Sequence, residues 1–298
     1  MELSIIVPCY NEELTINNFY EKIIDVCAAN NIINYEIIFV DDGSSDNTIS
    51  LIKELNEKNK NIHFLSFSRN FGKDAAILAG LKKANGEYSV VMDADLQDPP
   101  ELLPKMLEII KSEDIDCVET RRETRKGEPI VRSIFAKIFC KLMTAVSNVK
   151  IVDGIRDFRL MKKSMVNAVV SIQESNRFSK GLFSWVGFKT KCIAYDNIER
   201  NAGCSKWSFW SLFKYATNGL ISFSTLPLYF PLILGGIFVI IGLTGLIVNP
   251  ASERLFIAFL VSLFCGLNAM FIGFLGLYLA KIHTETQKRP LYIVREEN

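Results

Sequence analysis

Histidine and paired cysteine are scarce in this chain. Of 298 residues only His63 and His283 are histidines, and the seven cysteines, Cys9, Cys27, Cys117, Cys140, Cys192, Cys204 and Cys265, are odd in number and contain no C-x-x-C pair. A zinc site and a disulfide framework are both disfavoured, the chain suits a reducing compartment, and any metal it holds should be bound by oxygen. A field of one sign is missing too. The formal net charge is +1, so nucleic acid is not expected as a partner and an anionic ligand must be met by local clusters. The run Leu3-Ser-Ile-Ile-Val-Pro8 is apolar and β-prone, with no basic n-region and no cleavage site, so no secretory signal is expected. There is no internal repeat and no low-complexity tract.

What the chain does have is two long uncharged runs. Leu228 to Val248 and Leu255 to Ala280 each reach the roughly 20 residues that cross a bilayer, and both read as transmembrane helices. The remainder is long enough for one α/β domain. The expected partition is an α/β domain over 1–205, a juxtamembrane amphipathic segment over 206–226, two transmembrane helices over 227–281 and a cytoplasmic tail over 282–298. Trp207 and Trp210, interleaved with lysines just before the first span, read as interface anchors. Lys206 and Lys214 precede the first span and Lys281, Lys288, Arg289 and Arg295 follow the second, whereas the intervening loop has Arg254 alone beside Glu253. By the positive-inside rule both termini should be cytoplasmic.

Up to about residue 120, short β-rich runs alternate with helical patterns, the habit of a parallel sheet covered by crossover helices. The strand candidates are Ser4 to Val7, Glu36 to Val40, Ile62 to Phe67, Ser89 to Met92 and Asp116 to Val118. Ligands of such sheets bind outside the carboxyl ends of strands, which directs attention to Cys9 to Glu12, Asp41 to Asp46, Arg69 to Lys73 and Asp93 to Asp98. Asp93-Ala-Asp95 closes an apolar strand and could bridge a divalent cation to a diphosphate, with Gln97 and Asp98 adding oxygen ligands. The same residues could instead be a solvated turn before Pro99-Pro100. Asp41-Asp42-Gly43-Ser44-Ser45-Asp46 puts a second acidic cluster at that edge, with Ser45 or Asp46 able to cap a helix. Arg69 and Lys73 fit an active-site role or a surface one. Arg121, Arg122, Arg125, Lys126, Arg132, Lys137 and Lys141 form a basic stretch suited to a phosphate or to anionic lipid.

Val7-Pro-Cys-Tyr-Asn-Glu12, Val40-Asp-Asp-Gly-Ser44, Ser68-Arg-Asn-Phe-Gly-Lys73 and Met92-Asp-Ala-Asp-Leu-Gln-Asp-Pro-Pro-Glu101 stand in the order and spacing of family 2 glycosyltransferases. The chain resembles their polyisoprenyl-phosphate branch, which includes dolichyl-phosphate mannose synthases and bacterial undecaprenyl-phosphate glucosyltransferases of the GtrB type. Arg156-Asp-Phe-Arg-Leu-Met161, Arg200-Asn-Ala-Gly-Cys-Ser-Lys206 and the two spans extend the likeness over essentially the whole chain.

The resemblance implies a GT-A (Rossmann-like) fold and an inverting transfer that depends on Mg²⁺ or Mn²⁺. Pro8, Tyr10, Glu12, Phe39 and Asp41 would hold the nucleotide's base and ribose. Asp93 and Ala94 would lie along the ribose and diphosphate, with Asp93, Asp95 and Gln97 at the metal. Arg200 and Lys206 would grip the donor diphosphate, and Arg121 and Arg132 would bind the acceptor phosphate. Ala136 departs from the serine that related enzymes often place near that phosphate. The implied reaction takes glucose from UDP-glucose to undecaprenyl phosphate at the inner (plasma) membrane, in a homo-oligomer, with a separate flippase for the product. UDP-N-acetylglucosamine, a UDP-aminoarabinose derivative and GDP-mannose are the competing donors.

Elementary chemistry agrees with these roles. Cationic groups neutralise a departing diphosphate, and a lipid phosphate is ionised near neutral pH, so no strong base is required. Asp157, in an acidic-basic motif between predicted strands, is the candidate for orienting the acceptor or taking a late proton; a plain salt bridge to Arg156 or Arg159 is its alternative. A processive synthase is disfavoured because the chain lacks a Q-x-x-R-W motif, and a non-catalytic scaffold because the acidic edge is intact.

Overall fold

The computed structural model describes residues 1–122, 155–172, 174, 177, 179–195, 234–235, 237 and 254–298. It divides into two compact units, Met1–Leu212 with Pro290–Asn298, and Phe213–Arg289.

The first unit is laid on eight strands: β1 Leu3–Cys9, β2 Tyr35–Asp41, β3 Ile62–Phe67, β4 Tyr88–Val91, β5 Cys117–Arg122, β6 Ile155–Lys162, β7 Thr190–Tyr195 and β8 Val294–Glu297. They form one sheet in the order β7-β5-β6-β4-β1-β2-β3-β8. The central strands β1 to β4 pair parallel, as the alternation of strand and helix patterns predicts. β6 is inserted antiparallel between β4 and β5, and β7 pairs parallel with β5. Only β6 and β8 therefore run against the rest.

Helices α1 Ile16–Ala29, α2 Thr48–Lys58 and α4 Leu103–Ser112 cover one face of the sheet; α3 Lys73–Lys83, α5 Lys163–Ser171 and α6 Ser179–Trp185 cover the other. Successive strand residues point to opposite faces, so Ile37 and Phe39 join one buried cluster while Ile38 and Val40 join the other. Burial on both faces explains why these strands read as continuous apolar runs. Phe19 and Ile23 of α1 are fully buried, each worth about 2 kcal/mol of transfer free energy.

Residues 282–298, expected as a tail, are only partly so. α7, Arg254–Thr286, continues past 281, and Val294–Glu297 returns to the first unit as an antiparallel edge strand on β3. Tyr292 stacks on Phe67 with ring centroids 4.9 Å apart, Lys53 pairs with Glu296, and Lys83 lies 3.2 Å from Glu297. Only alternate residues of β8 are covered, so its charged composition hides the strand.

In the second unit, α7 has 33 residues, about 50 Å of helix. Its segment Leu263–Thr286 is long and apolar enough to cross a membrane and is the single such helix among the described residues. Met270, Ile272, Leu275 and Leu279 are all exposed on it. The other expected span, Leu228 to Val248, lies almost wholly outside the described residues.

Candidate active site

The carboxyl ends of β1, β2 and β4 and the beginning of β6 meet at one edge of the sheet, because β6 runs against its neighbours. Val91 is level with Arg159, which brings Asp93, just beyond β4, beside Asp157 near the start of β6. Asp157 thus lies within a strand, not between strands as expected. Its salt bridge is to neither arginine: Lys73 Nζ lies 2.6 Å from Asp157 Oδ2 and 2.7 Å from Asp93 Oδ1. Burial alone would lower the Lys73 pKa, but the Asp157 and Asp93 carboxylates outweigh it and hold the ammonium well above the usual lysine value.

Lys73 is placed by Asp42. That carboxylate is almost completely buried and accepts hydrogen bonds from the amides of Phe71 at 2.6 Å and Gly72 at 2.9 Å, fixing the turn into α3. Burial raises the Asp42 pKa and the two amides oppose the rise. Gly43, at φ +68°, lets this loop approach the next: a Cβ there would come within 2.5 Å of the Arg69 carbonyl carbon. Asp41 accepts from the Ser44 amide at 3.0 Å and the Ser66 hydroxyl at 2.7 Å. Asp46 accepts from the amide of Thr48, the first residue of α2, but the cap position is Asn47 and makes no side-chain cap hydrogen bond, so neither Ser45 nor Asp46 is the cap.

Past β4 the chain turns sharply at Leu96, whose φ of +55° costs a non-glycine residue about 1 kcal/mol or more. Asp93, Asp95 and Gln97 stay half-buried at the edge, while the Ala94 methyl is packed in the core and leaves only its backbone for a ligand. Asp95 Oδ1 accepts from the Gln97 amide at 3.1 Å. Gln97 Oε1 accepts from Arg122 at 2.9 Å and Arg156 at 3.4 Å. The Gln97 oxygen, expected at a metal, here faces two guanidinium groups. Asp98 is buried, and Oδ1 accepts from Arg156 Nε at 2.8 Å and Tyr195 Oη at 2.5 Å, while Oδ2 has no hydrogen-bond partner. Burial lowers and Asp98 then raises the Arg156 pKa, with a net rise. Tyr195 carries no signal in the sequence because no strand is expected at β7, and Arg122 is expected only as part of a basic stretch because the expected strand stops at Val118 whereas β5 runs on to Arg122.

Of the residues expected at the nucleotide, Pro8 lies in β1, Tyr10 is exposed just after it, and Glu12 accepts from the Thr15 hydroxyl at 2.9 Å. Phe39 is a correction: its side chain is fully buried, edge-on to Phe19 at 6.3 Å, and cannot reach a ligand. Arg121 is the penultimate residue of β5, half-buried at the same edge. Arg132, Arg200 and Lys206 lie outside the described residues. Cys9 is no nucleophile, since burial and then the nearby Glu12, Asp41 and Asp93 carboxylates push its thiol well above the ordinary range.

Among the described residues no three His, Cys, Asp or Glu side chains converge as a metal cage. Asp93 and Asp95 nevertheless fit a hard divalent ion of the kind bound by one or two carboxylates and completed by substrate phosphates. In an α/β sheet of this kind ligands bind outside the carboxyl ends of the parallel strands, which makes this acidic edge the candidate site.

The chain belongs to glycosyl transferase family 2, whose family model matches residues 4–170, and it is a glycosyltransferase. A Bacillus subtilis protein provisionally named as the glycosyltransferase CsbB is 40% identical over 99% of this chain and 92% of that protein. The prophage bactoprenol glucosyl transferase homolog of Escherichia coli is 36% identical over 99% of both. A mannosyltransferase from Pyrobaculum calidifontis, solved with GDP-Man and Mn²⁺, shares the fold at TM-score 0.52 and 15% identity, covering 95% of this chain and 84% of that one.

Proposed function

We propose that this enzyme transfers glucose from UDP-glucose to undecaprenyl phosphate at the cytoplasmic face of the membrane, with inversion at the anomeric carbon. The observation that carries the reading is the full-length relationship to proteins named bactoprenol glucosyl transferase, which extends through the apolar helix α7. Exposure of apolar residues along α7 supports its insertion in lipid.

In this reading Pro8, Tyr10, Glu12 and Asp41 bind the base and ribose. Asp93 and Asp95 would hold Mg²⁺ or Mn²⁺, which would supply positive charge for the departing diphosphate. Arg200 and Lys206 bind that diphosphate, and Arg121 and Arg132 bind the acceptor phosphate, for which the planar guanidinium is suited. An oxygen of the lipid phosphate bonds to the sugar's anomeric carbon as the bond to the diphosphate breaks, and the diphosphate keeps the electron pair. The acceptor is already ionised, so no strong base is needed, and Asp157 serves to orient the acceptor or to take a late proton. The chain works as a homo-oligomer, both termini are cytoplasmic, and the product lipid passes to a separate flippase.

The test is a donor panel with purified protein and undecaprenyl phosphate, read by mass of the lipid product. A hexose added from UDP-glucose is expected. A different sugar from another donor would overturn the specificity, and no lipid-linked product from any donor would overturn the acceptor.

A further inference from the structure

The acidic edge contains a cation of the chain's own, in a position that helix formation does not explain. Lys73 is the first residue of α3, where the helix dipole disfavours positive charge. Its backbone is nonetheless fixed there by the grip of Asp42 on Phe71 and Gly72. Its Nζ meets both oxygens of Asp93, at 2.7 and 2.9 Å, and Asp157 at 2.6 Å. One ammonium group therefore joins a carboxylate assigned to the divalent ion to the carboxylate assigned to the acceptor.

We propose that Lys73 is an internal counter-ion that holds Asp93 and Asp157 together before the donor arrives and competes with the divalent ion for Asp93. Two like charges cannot share that carboxylate at close range without cost. Free metal is consequently bound weakly, and the metal and nucleotide diphosphate enter together, because the added phosphate charge offers Lys73 another partner. The inference rests on the metal reading of the edge given above.

The experiment measures binding of Mn²⁺ by electron paramagnetic resonance, with and without UDP and without any acceptor. Lys73→Met is expected to bind Mn²⁺ alone about five- to tenfold more tightly than the wild type, as loss of one or two partly exposed ion pairs predicts. Lys73→Arg, which retains the charge, should stay as weak as the wild type. Equal or weaker binding by Lys73→Met overturns the proposal while leaving the metal reading intact. Failure of the wild type to bind Mn²⁺ even with UDP overturns both. Should Lys73→Met not fold, amine footprinting of the wild type decides: Mn²⁺ should raise labelling of Lys73, and unchanged labelling overturns the competition.

Discussion

Gly43→Ala tests whether the β2–α2 and β3–α3 loops are locked together in the way the site requires. At φ +68° an alanine occupies the left-handed region at a cost of about 1 kcal/mol. Its Cβ would lie 2.5, 2.8 and 2.9 Å from the backbone carbon, Cα and oxygen of Arg69, none of which can turn aside as a side-chain tip could. Overpacking of this kind adds about 1–3 kcal/mol, for a total of roughly 2–4 kcal/mol. In a unit of this size each kcal/mol moves Tm by about 2–4 °C, so the melting temperature should fall by about 4–16 °C. The same displacement moves the segment from Arg69 to Lys73, and UDP binding should weaken by more than the stability loss explains at temperatures well below Tm. Differential scanning fluorimetry with and without UDP reads both quantities. A Tm within about 2 °C of the wild type would refute the reasoning, because the loops could then part without cost.

Asp95→Ala should lower transfer at least about a thousandfold, roughly 4 kcal/mol, with Tm nearly unchanged; near-normal turnover in this variant or in EDTA would remove the metal from the mechanism. Asp42→Asn tests the pH dependence, because burial raises the pKa of Asp42 in the folded state. Its contribution to stability is fully present below the unfolded value, about pH 4, and is lost as pH rises through the folded value, so the wild-type Tm minus the Asn variant's Tm should fall between pH 4 and pH 7; a rise refutes the sign. Deleting residues 291–298 removes β8 and the Tyr292–Phe67 stack and bares the edge of β3, so Tm should fall by several degrees and aggregation rise, as light scattering would report; an unchanged melt would show that the strand is dispensable.

The central sheet was legible in the sequence because strands buried on both faces must be apolar throughout, and each of the first four ended in polar residues at the ligand edge. β6 and β8 were not, for two different reasons. β6 carries Arg156, Asp157 and Arg159; the first two are paired with Asp98 and Lys73, partners distant in the sequence, so local composition resembled a charged loop. β8 is four residues long and half-covered. The family resemblance implies a place for Phe39 at the nucleotide, yet the alternation that puts Asp41 at the edge also puts Phe39 under α1. Conversely, nothing in the order of residues chose between a surface and a site role for Lys73; the choice came from the strand reversal that brings Asp157 level with Asp93.

That reversal also explains how one short motif serves two parts of the site. Side chains alternate along β6, and Phe158 and Leu160 join the cluster under α1 and α4 while Met161 joins the one under α3. Arg156 shares the first side and is held by Asp98 and Gln97 beyond β4; Asp157 shares the second and is held by Lys73 from α3. Neighbouring residues of opposite charge thereby serve opposite faces of the sheet without neutralising each other. A parallel strand at this position would have carried the pair to the far end, away from Asp93 and Asp95. The antiparallel insertion of β6 is therefore what brings a strand beginning, with its acid and base, to the edge where the parallel strands end.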